Sequence, residues 1–164
     1  MARRKHEPSA STPALARLVD NGIDHAVHEY DHDPRATDFG AEAARKMDVD
    51  PTQVFKTLIW QVDDSYCVAI VPTSANTSSK MLAAAVGARR AELVDSSVAE
   101  RLSGSVVGAI SPLSLRRALA VVVDSSALDH DRIFVSAGRR GVEVSLSPID
   151  LINVTSATVA HIRS

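Results

Sequence analysis

The spacing of hydrophobic and polar positions changes several times along the chain, and each change predicts an element. Ser11 or Thr12 can cap a first helix, with Pro13 in its first turn. Leu15, Leu18 and Val19 form its apolar stripe, and Asn21–Gly22 stops it. A short strand follows over 23–30, then an Asp-rich loop from Asp31 to Asp38. Residues 41–47 read as a weak helix, and 51–55 as a helical turn capped by Asp50. The pattern then becomes β-branched and apolar. Lys56–Val62 and Tyr66–Val71 flank Asp63–Asp64–Ser65, which predicts a hairpin that Pro72 ends. A helix over Thr77–Val86 would bury Met81, Leu82, Ala85 and Val86, with Gly87 as its stop. Ala91–Val94 predicts a strand. Asp95 caps a helix through Leu102, which Gly104 terminates. A Gly- and Pro-marked loop over 104–112 leads to a strand at 119–124. Strands at 133–136 and 142–146 surround residues 137–141. Ser147–Pro148 opens a last helix, and 158–162 predicts a last strand.

Strands outnumber helices and do not alternate with them regularly, which argues against a doubly wound parallel sheet. The expected fold class is α+β: a curved, largely antiparallel mixed sheet or partial barrel with helices packed outside. With 164 residues, no repeat and no linker, the expected organisation is a disordered segment over 1–10 followed by a single domain over 11–164.

Composition narrows the function classes. Hydrophobic residues make up 45% but aromatic ones only 4%, so an extended stacking platform for single strands is not expected. The net charge of −2 does not announce a nucleic-acid binder, although Arg89–Arg90, Arg116–Arg117 and Arg139–Arg140 could supply local positive field or serve as solvated turns. The single cysteine excludes an internal disulfide and fits a reducing compartment. No apolar run is long enough to span a bilayer, and the basic, polar residues 1–11 lack the apolar core of a secretory signal. The expectation is a cytoplasmic protein with no membrane partner.

Ordinary nucleophiles find little support. Cys67 sits in an apolar run where a free cysteine behaves as a small hydrophobe. There is no Gly-x-Ser-x-Gly elbow, Walker loop or dinucleotide fingerprint. His25 and His28 fall on opposite faces of a strand, so with His32 they do not predict a metal site, and no cofactor is expected. Lys56 is different. It heads an apolar strand and, by alternation, shares a face with Leu58, Trp60 and Val62. Such a lysine either snorkels at the strand edge or aims a cation at a phosphate or a developing oxyanion. The small-residue loops 104–112 and 136–141 could approach a ligand closely and donate backbone N–H groups, although Gly-rich turns are also common in hairpins.

Taken together, four segments resemble the YbaK family, within the superfamily of editing domains associated with prolyl-tRNA synthetase. His28–Pro34 followed by Phe39–Gly40 resembles its opening signature, and Gln53–Leu58 its lysine motif. Val107–Leu113 resembles its Gly-Gly-Ile-Ser-Pro loop, and Val135–Gly141 its Ser-Gly-Gly-(Lys/Arg)-Arg-Gly loop. The likeness runs from about Thr12 to the C-terminus. It implies a trans-editing hydrolase for mischarged tRNA, typically Cys-tRNA(Pro), acting on the 3′ acceptor end in company with prolyl-tRNA synthetase. On that pattern Lys56, Gly108 and Tyr30 are the catalytic set. Ser136, Ala109, Ser111, Gly138, Arg139, Glu143 and Phe39 would contact substrate. Ala109 and Ala137 replace glycines of the pattern, and Glu143 stands for an Asp. Either substitution of glycine would alter the pocket if its position needs positive φ.

Such an ester needs less catalytic power than an amide, so positioning and oxyanion stabilisation can suffice. The attacking group is then water or the substrate's own thiol. Ala-tRNA(Pro) is an alternative substrate. A non-catalytic aminoacyl-tRNA binding module and a general small-ligand protein are alternatives from other classes.

Overall fold

The computed structural model describes residues 11–164; the segment 1–10, expected to be disordered, lies outside the described residues. In chain order the elements are α1 (Pro13–Asp20), β1 (His25–Glu29), α2 (Phe39–Met47), β2 (Phe55–Val62), β3 (Ser65–Pro72), α3 (Ser79–Ala85), β4 (Ala91–Leu93), α4 (Ser96–Ser103), β5 (Ala120–Asp124), β6 (Ile133–Arg139), β7 (Val142–Leu146), α5 (Pro148–Thr155) and β8 (Thr158–Ala160). Short 3-10 turns, Pro51–Gln53 and Ser125–Asp129, precede β2 and follow β5.

Local chemistry sets the helix starts. Side-chain oxygens of Thr12, Asp38, Ser78, Asp95 and Ser147 each accept a backbone N–H from the first turn that follows. The N–H groups at a helix start have no carbonyl within the helix, so an acceptor there fixes where the helix begins. Two expected apolar stripes are corrected. Val19 is 66% exposed and Ala14 takes its place against the core; Met81 is 43% exposed and Ala83 lies inside. In both cases the buried arc is rotated around the helix axis from the expected one, so a neighbouring alanine replaces the residue at its far edge. Helix α2 begins two residues before the expected start, because Asp38 caps it and Gly40 is accommodated within it.

The strands form two sheets. The smaller has the order β1–β7–β6 and is antiparallel throughout. The larger has the order β4–β2–β3–β5–β8, in which β3–β5 and β5–β8 are parallel and the other pairings antiparallel. The α+β, largely antiparallel architecture therefore stands, as two sheets that do not close into a barrel. An isolated parallel bridge between Val54 and Phe134 joins them.

One core lies between the sheets, with Phe55, Ile59, Val68 and Ile70 from the larger and Ile133, Val135, Val142 and Val144 from the smaller. Helices α1 and α4 add Leu18 and Leu102. A second core, including Trp60, Val62, Cys67 and Leu82, covers the opposite face of the larger sheet beneath α3. Asp124, fully buried at the end of β5, accepts from the backbone N–H groups of Ser126, Ile162 and Arg163 and pairs with the Arg163 guanidinium at 2.6 Å. The last residues of the sequence are thereby held to the core. No helix among the described residues is long and apolar enough to cross a membrane.

Candidate active site

Strand β2 pairs with β4 only from Trp60 to Val62, and the Val94 N–H donates to the Ile59 carbonyl, so the β4 ladder leaves the outer edge over 55–58 uncovered. A cavity of about 600 Å³ lies along that edge, within the range of small-molecule sites. Its walls come from β2, the start of α2, α4, the loop at 107–110 and the β6–β7 hairpin. Phe55, Ile59, Ala99 and Ile110 make part of it apolar.

Lys56, Gly108, Ser136, Glu143 and Phe39 all line this cavity. Lys56 stands opposite Val71 in the β2–β3 ladder and is partly buried. It makes no hydrogen bond or ion pair among the described residues, so its cation is available to a ligand. Ser136 and Glu143 are direct cross-strand partners on β6 and β7. Ser136 Oγ accepts from Gly138 N–H at 3.1 Å, which leaves its own proton free to donate. Glu143 is buried, and burial pushes its carboxyl up to about 8, which favours the neutral acid at neutral pH.

Gly108 has φ of +89°, and a Cβ there would lie 2.8 Å from the Phe39 ring. Only glycine fits both the backbone and the contact. Its N–H donates to no acceptor among the described residues.

The other expected site residues lie outside the cavity lining. Tyr30 is half-buried beside Ala43, Ala44 and Val54. Burial, with the Glu143 and Glu42 charges, pushes its phenol up to about 12 against a hydrogen bond from the Gly141 backbone. Ser111 is buried, and its Oγ accepts from Leu113 N–H within its own turn. Gly138 packs against Thr12 and Ala14 of the α1 terminus, and Arg139 is exposed. Ala109 and Ala137 are buried, and neither has positive φ, so the replaced glycines are not required by backbone conformation. Cys67 is fully buried, and burial pushes its thiol up to about 11, which removes it as a nucleophile.

Two sets of contacts surround Phe39. Arg140 places its guanidinium 4.9 Å from the Phe39 ring centroid and donates from both Nε and Nη2 to the Val107 carbonyl. Beside Phe39, the His32 ring lies tilted with its centroid 5.8 Å away and bonds to the buried Glu42 carboxylate, which also accepts from Asp33 N–H and pairs with Lys46. Lys46 also donates to the Asp31 carbonyl. Arg140 is far in sequence from Phe39 and Val107, and no spacing rule brings them together; in the Glu42 network only Glu42–Lys46 has helical i,i+4 spacing.

Comparison with known proteins gives a consistent result. The Enterococcus faecalis protein EbsC, provisionally named a Cys-tRNA(Pro)/Cys-tRNA(Cys) deacylase, is 26% identical over 170 aligned positions that take in all of this chain and 99% of EbsC. A proline–tRNA ligase from Listeria monocytogenes is 26% identical over 111 residues; the match takes in 67% of this chain but only 20% of the ligase. A crystal structure provisionally described as a trans-editing enzyme for prolyl-tRNA synthetase superposes with a TM-score of 0.81 at 19% identity, over 94% of this chain and 99% of that one, which shows a shared fold. The model of the aminoacyl-tRNA editing domain matches residues 33–154, most of the chain, and the protein belongs to that family.

Proposed function

We propose that this protein is a trans-acting aminoacyl-tRNA deacylase whose reaction takes place in the cavity along β2. Cys-tRNA(Pro) is the first candidate substrate, with Cys-tRNA(Cys) and Ala-tRNA(Pro) next. The observation that carries this reading is the meeting, in one cavity, of an unpaired cation and a backbone N–H without an acceptor: Lys56 and Gly108. An aminoacyl ester on a terminal ribose offers complementary groups, a phosphate for the cation and a polarisable carbonyl for the N–H.

In this mechanism Lys56 holds the phosphate-bearing acceptor end. Gly108 N–H stabilises the charge that develops on the carbonyl oxygen. Ser136 donates its free proton to the terminal adenosine or the aminoacyl end. Glu143 enters as a neutral acid and releases its proton to water when the α-ammonium of the aminoacyl group arrives, because a neighbouring positive charge favours the carboxylate. For a cysteinyl ester the substrate thiolate attacks its own carbonyl, the ribose oxygen leaves and takes up a proton, and a cyclic thioester of cysteine is released. For an alanyl ester, water attacks instead.

Fidelity needs such a second site, since a pocket distinguishes neighbours that differ by one methylene by only ~1–3 kcal/mol. The domain formed by residues 11–164 acts on the acceptor end, and prolyl-tRNA synthetase supplies further tRNA selectivity in the cytoplasm. The test is single-turnover deacylation of Cys-tRNA(Pro) and Ala-tRNA(Pro), with and without prolyl-tRNA synthetase. Release of alanine, or of cysteine as the cyclic thioester or its hydrolysis product, supports the reading and ranks the substrates. Tight binding of charged tRNA without release of either would replace it with a non-catalytic binding module.

A further inference from the structure

The loop that carries Gly108 is held at one residue from two directions. Glu100 Oε2, on α4, accepts the Val107 N–H at 2.9 Å. Arg140, from the β6–β7 turn, donates to the Val107 carbonyl from Nε at 2.9 Å and from Nη2 at 2.6 Å. The same guanidinium lies over the Phe39 ring, and the opposing α carbon of Gly108 allows no side chain against that ring. Three elements, α4, the β6–β7 turn and α2, therefore hold the loop at Val107 and Gly108.

That peptide is trans, as are all those described. In a trans peptide the carbonyl and the following N–H point in opposite directions. Fixing the Val107 oxygen toward Arg140 therefore turns the Gly108 N–H to the other side. Val107 and Gly108 both line the cavity and Arg140 does not, an arrangement that suits a Gly108 N–H turned away from Arg140 and toward the cavity. A charged donor on the carbonyl also polarises the amide and strengthens its N–H as a donor.

We propose that Arg140 is a positioning residue: by clamping the Val107 carbonyl it sets the direction and donor strength of the Gly108 N–H. The proposal deepens the deacylase reading above and rests on it for the role of that N–H. The obvious competing role for an exposed arginine beside such a cavity is a contact to tRNA phosphate. The two differ in what a lysine can replace. Lysine keeps the charge for a phosphate, but it lacks the planar fork that stacks on Phe39 and gives two bonds to one oxygen.

The experiment compares wild type with Arg140→Ala and Arg140→Lys, using Arg90→Ala as the surface control; among the described residues the Arg90 side chain pairs with exposed Glu92. Single-turnover deacylation is measured across substrate and salt concentration, and the Gly108 amide is followed in 1H–15N spectra. Clamping predicts that Arg140→Ala lowers the saturating rate by ~10–100-fold while half-saturation moves little. Arg140→Lys stays impaired, methylguanidinium restores part of the rate to Arg140→Ala, and the Gly108 cross-peak shifts in both variants. A loss confined to half-saturation, dependent on salt and restored by lysine, would overturn clamping in favour of a phosphate contact. An unmoved Gly108 cross-peak in Arg140→Ala would overturn it too. If wild type releases no amino acid, the deacylase reading fails, and the cross-peak still decides whether Arg140 orients the amide.

Discussion

His32 Nδ1 lies 2.7 Å from Glu42 Oε1, and this bond fixes the ring that lies beside Phe39 at the cavity wall. Glu42 is only 1% exposed, yet its carboxyl stays below the ordinary range. Burial works to raise it, but hydrogen bonds from Asp33 N–H and His32, the His32 charge and the Lys46 bond outweigh that effect. With the folded value below the unfolded one, the stabilisation is present above about pH 4.5 and fades as pH falls below it. Glu42→Ala leaves buried donors unpaired and should cost about 2–3 kcal/mol at pH 7. Urea unfolding at pH 7 and pH 3 checks this; an equal loss at both would contradict the assignment.

Lys56→Ala should leave the melting temperature nearly unchanged, because the side chain pairs with nothing among the described residues. The single-turnover rate should fall by ~100-fold or more, the scale of losing one electrostatic contact to the transition state. Lys56→Arg should keep part of the binding and less of the rate. A near-normal rate in the alanine variant would remove Lys56 from the mechanism.

Glu143 gives a pH signature of opposite sign to that of Glu42. Its carboxyl sits at about 8 when folded. The folded chain keeps a proton that the unfolded chain releases above about pH 4.5, so stability falls as pH rises from there to about 8. Glu143→Gln removes this dependence. It should be more stable than the parent by on the order of 2–3 kcal/mol at pH 7 and about equal at pH 4. Parallel denaturation curves at the two pH values decide the matter; a pH-independent difference would count against a buried neutral acid.

Asp124 should govern acid unfolding. Burial opposes its ionisation, but hydrogen bonds from the Ser126 side chain, the Ile162 N–H, the Arg163 side chain and the Ser126 N–H bring the carboxyl down to about 2. Its contribution is complete above about pH 4 and disappears as pH falls toward about 2. Asp124→Asn should cost roughly 3 kcal/mol at pH 7 by leaving Arg163 without its partner, and much less near pH 2. Circular dichroism across an acid titration would show it.

Gly108→Ala tests the loop against the wall. Positive φ and a contact of 2.8 Å to Phe39 should together cost about 1–3 kcal/mol and displace the loop. The deacylation rate should fall more than stability does. A variant as active as wild type would show that the Gly108 N–H is not the donor.

What could be read in advance was local. Thr12–Pro13, Asp50, Asp95 with Gly104, and Ser147–Pro148 mark their boundaries because a cap needs only the next few residues. The β2–β3 hairpin is legible for the same reason. The parallel pairing of β3 with β5 joins residues some fifty positions apart, and alternation does not encode it. Gly40 hid the start of α2, since it suggests a loop. Its role is tertiary: a Cβ there would lie 1.8 Å from Thr73 Oγ1. At the site, Lys56 was legible as a cation on an apolar face. Arg140 was not, since its partner Val107 is 33 residues away. Tyr30, Ser111 and Gly138 fell within recognisable motifs, but those motifs mix residues that face the cavity with residues that hold its frame.

The bridged pair between the sheets, Val54 with Phe134, has a consequence for selectivity. Lys56 rides on one sheet; Ser136 and Glu143 ride on the other. Their separation is governed by the thickness of the apolar filling between the sheets as well as by their own geometry. A methyl group gained or lost at Ile59 or Val135 can widen or narrow the site while every cavity-facing polar residue stays the same. Amino-acid preference can then drift between relatives whose polar site residues are identical, and exchanging core residues, with no change at the chemical groups, is the way to retune which misacylated ester fits.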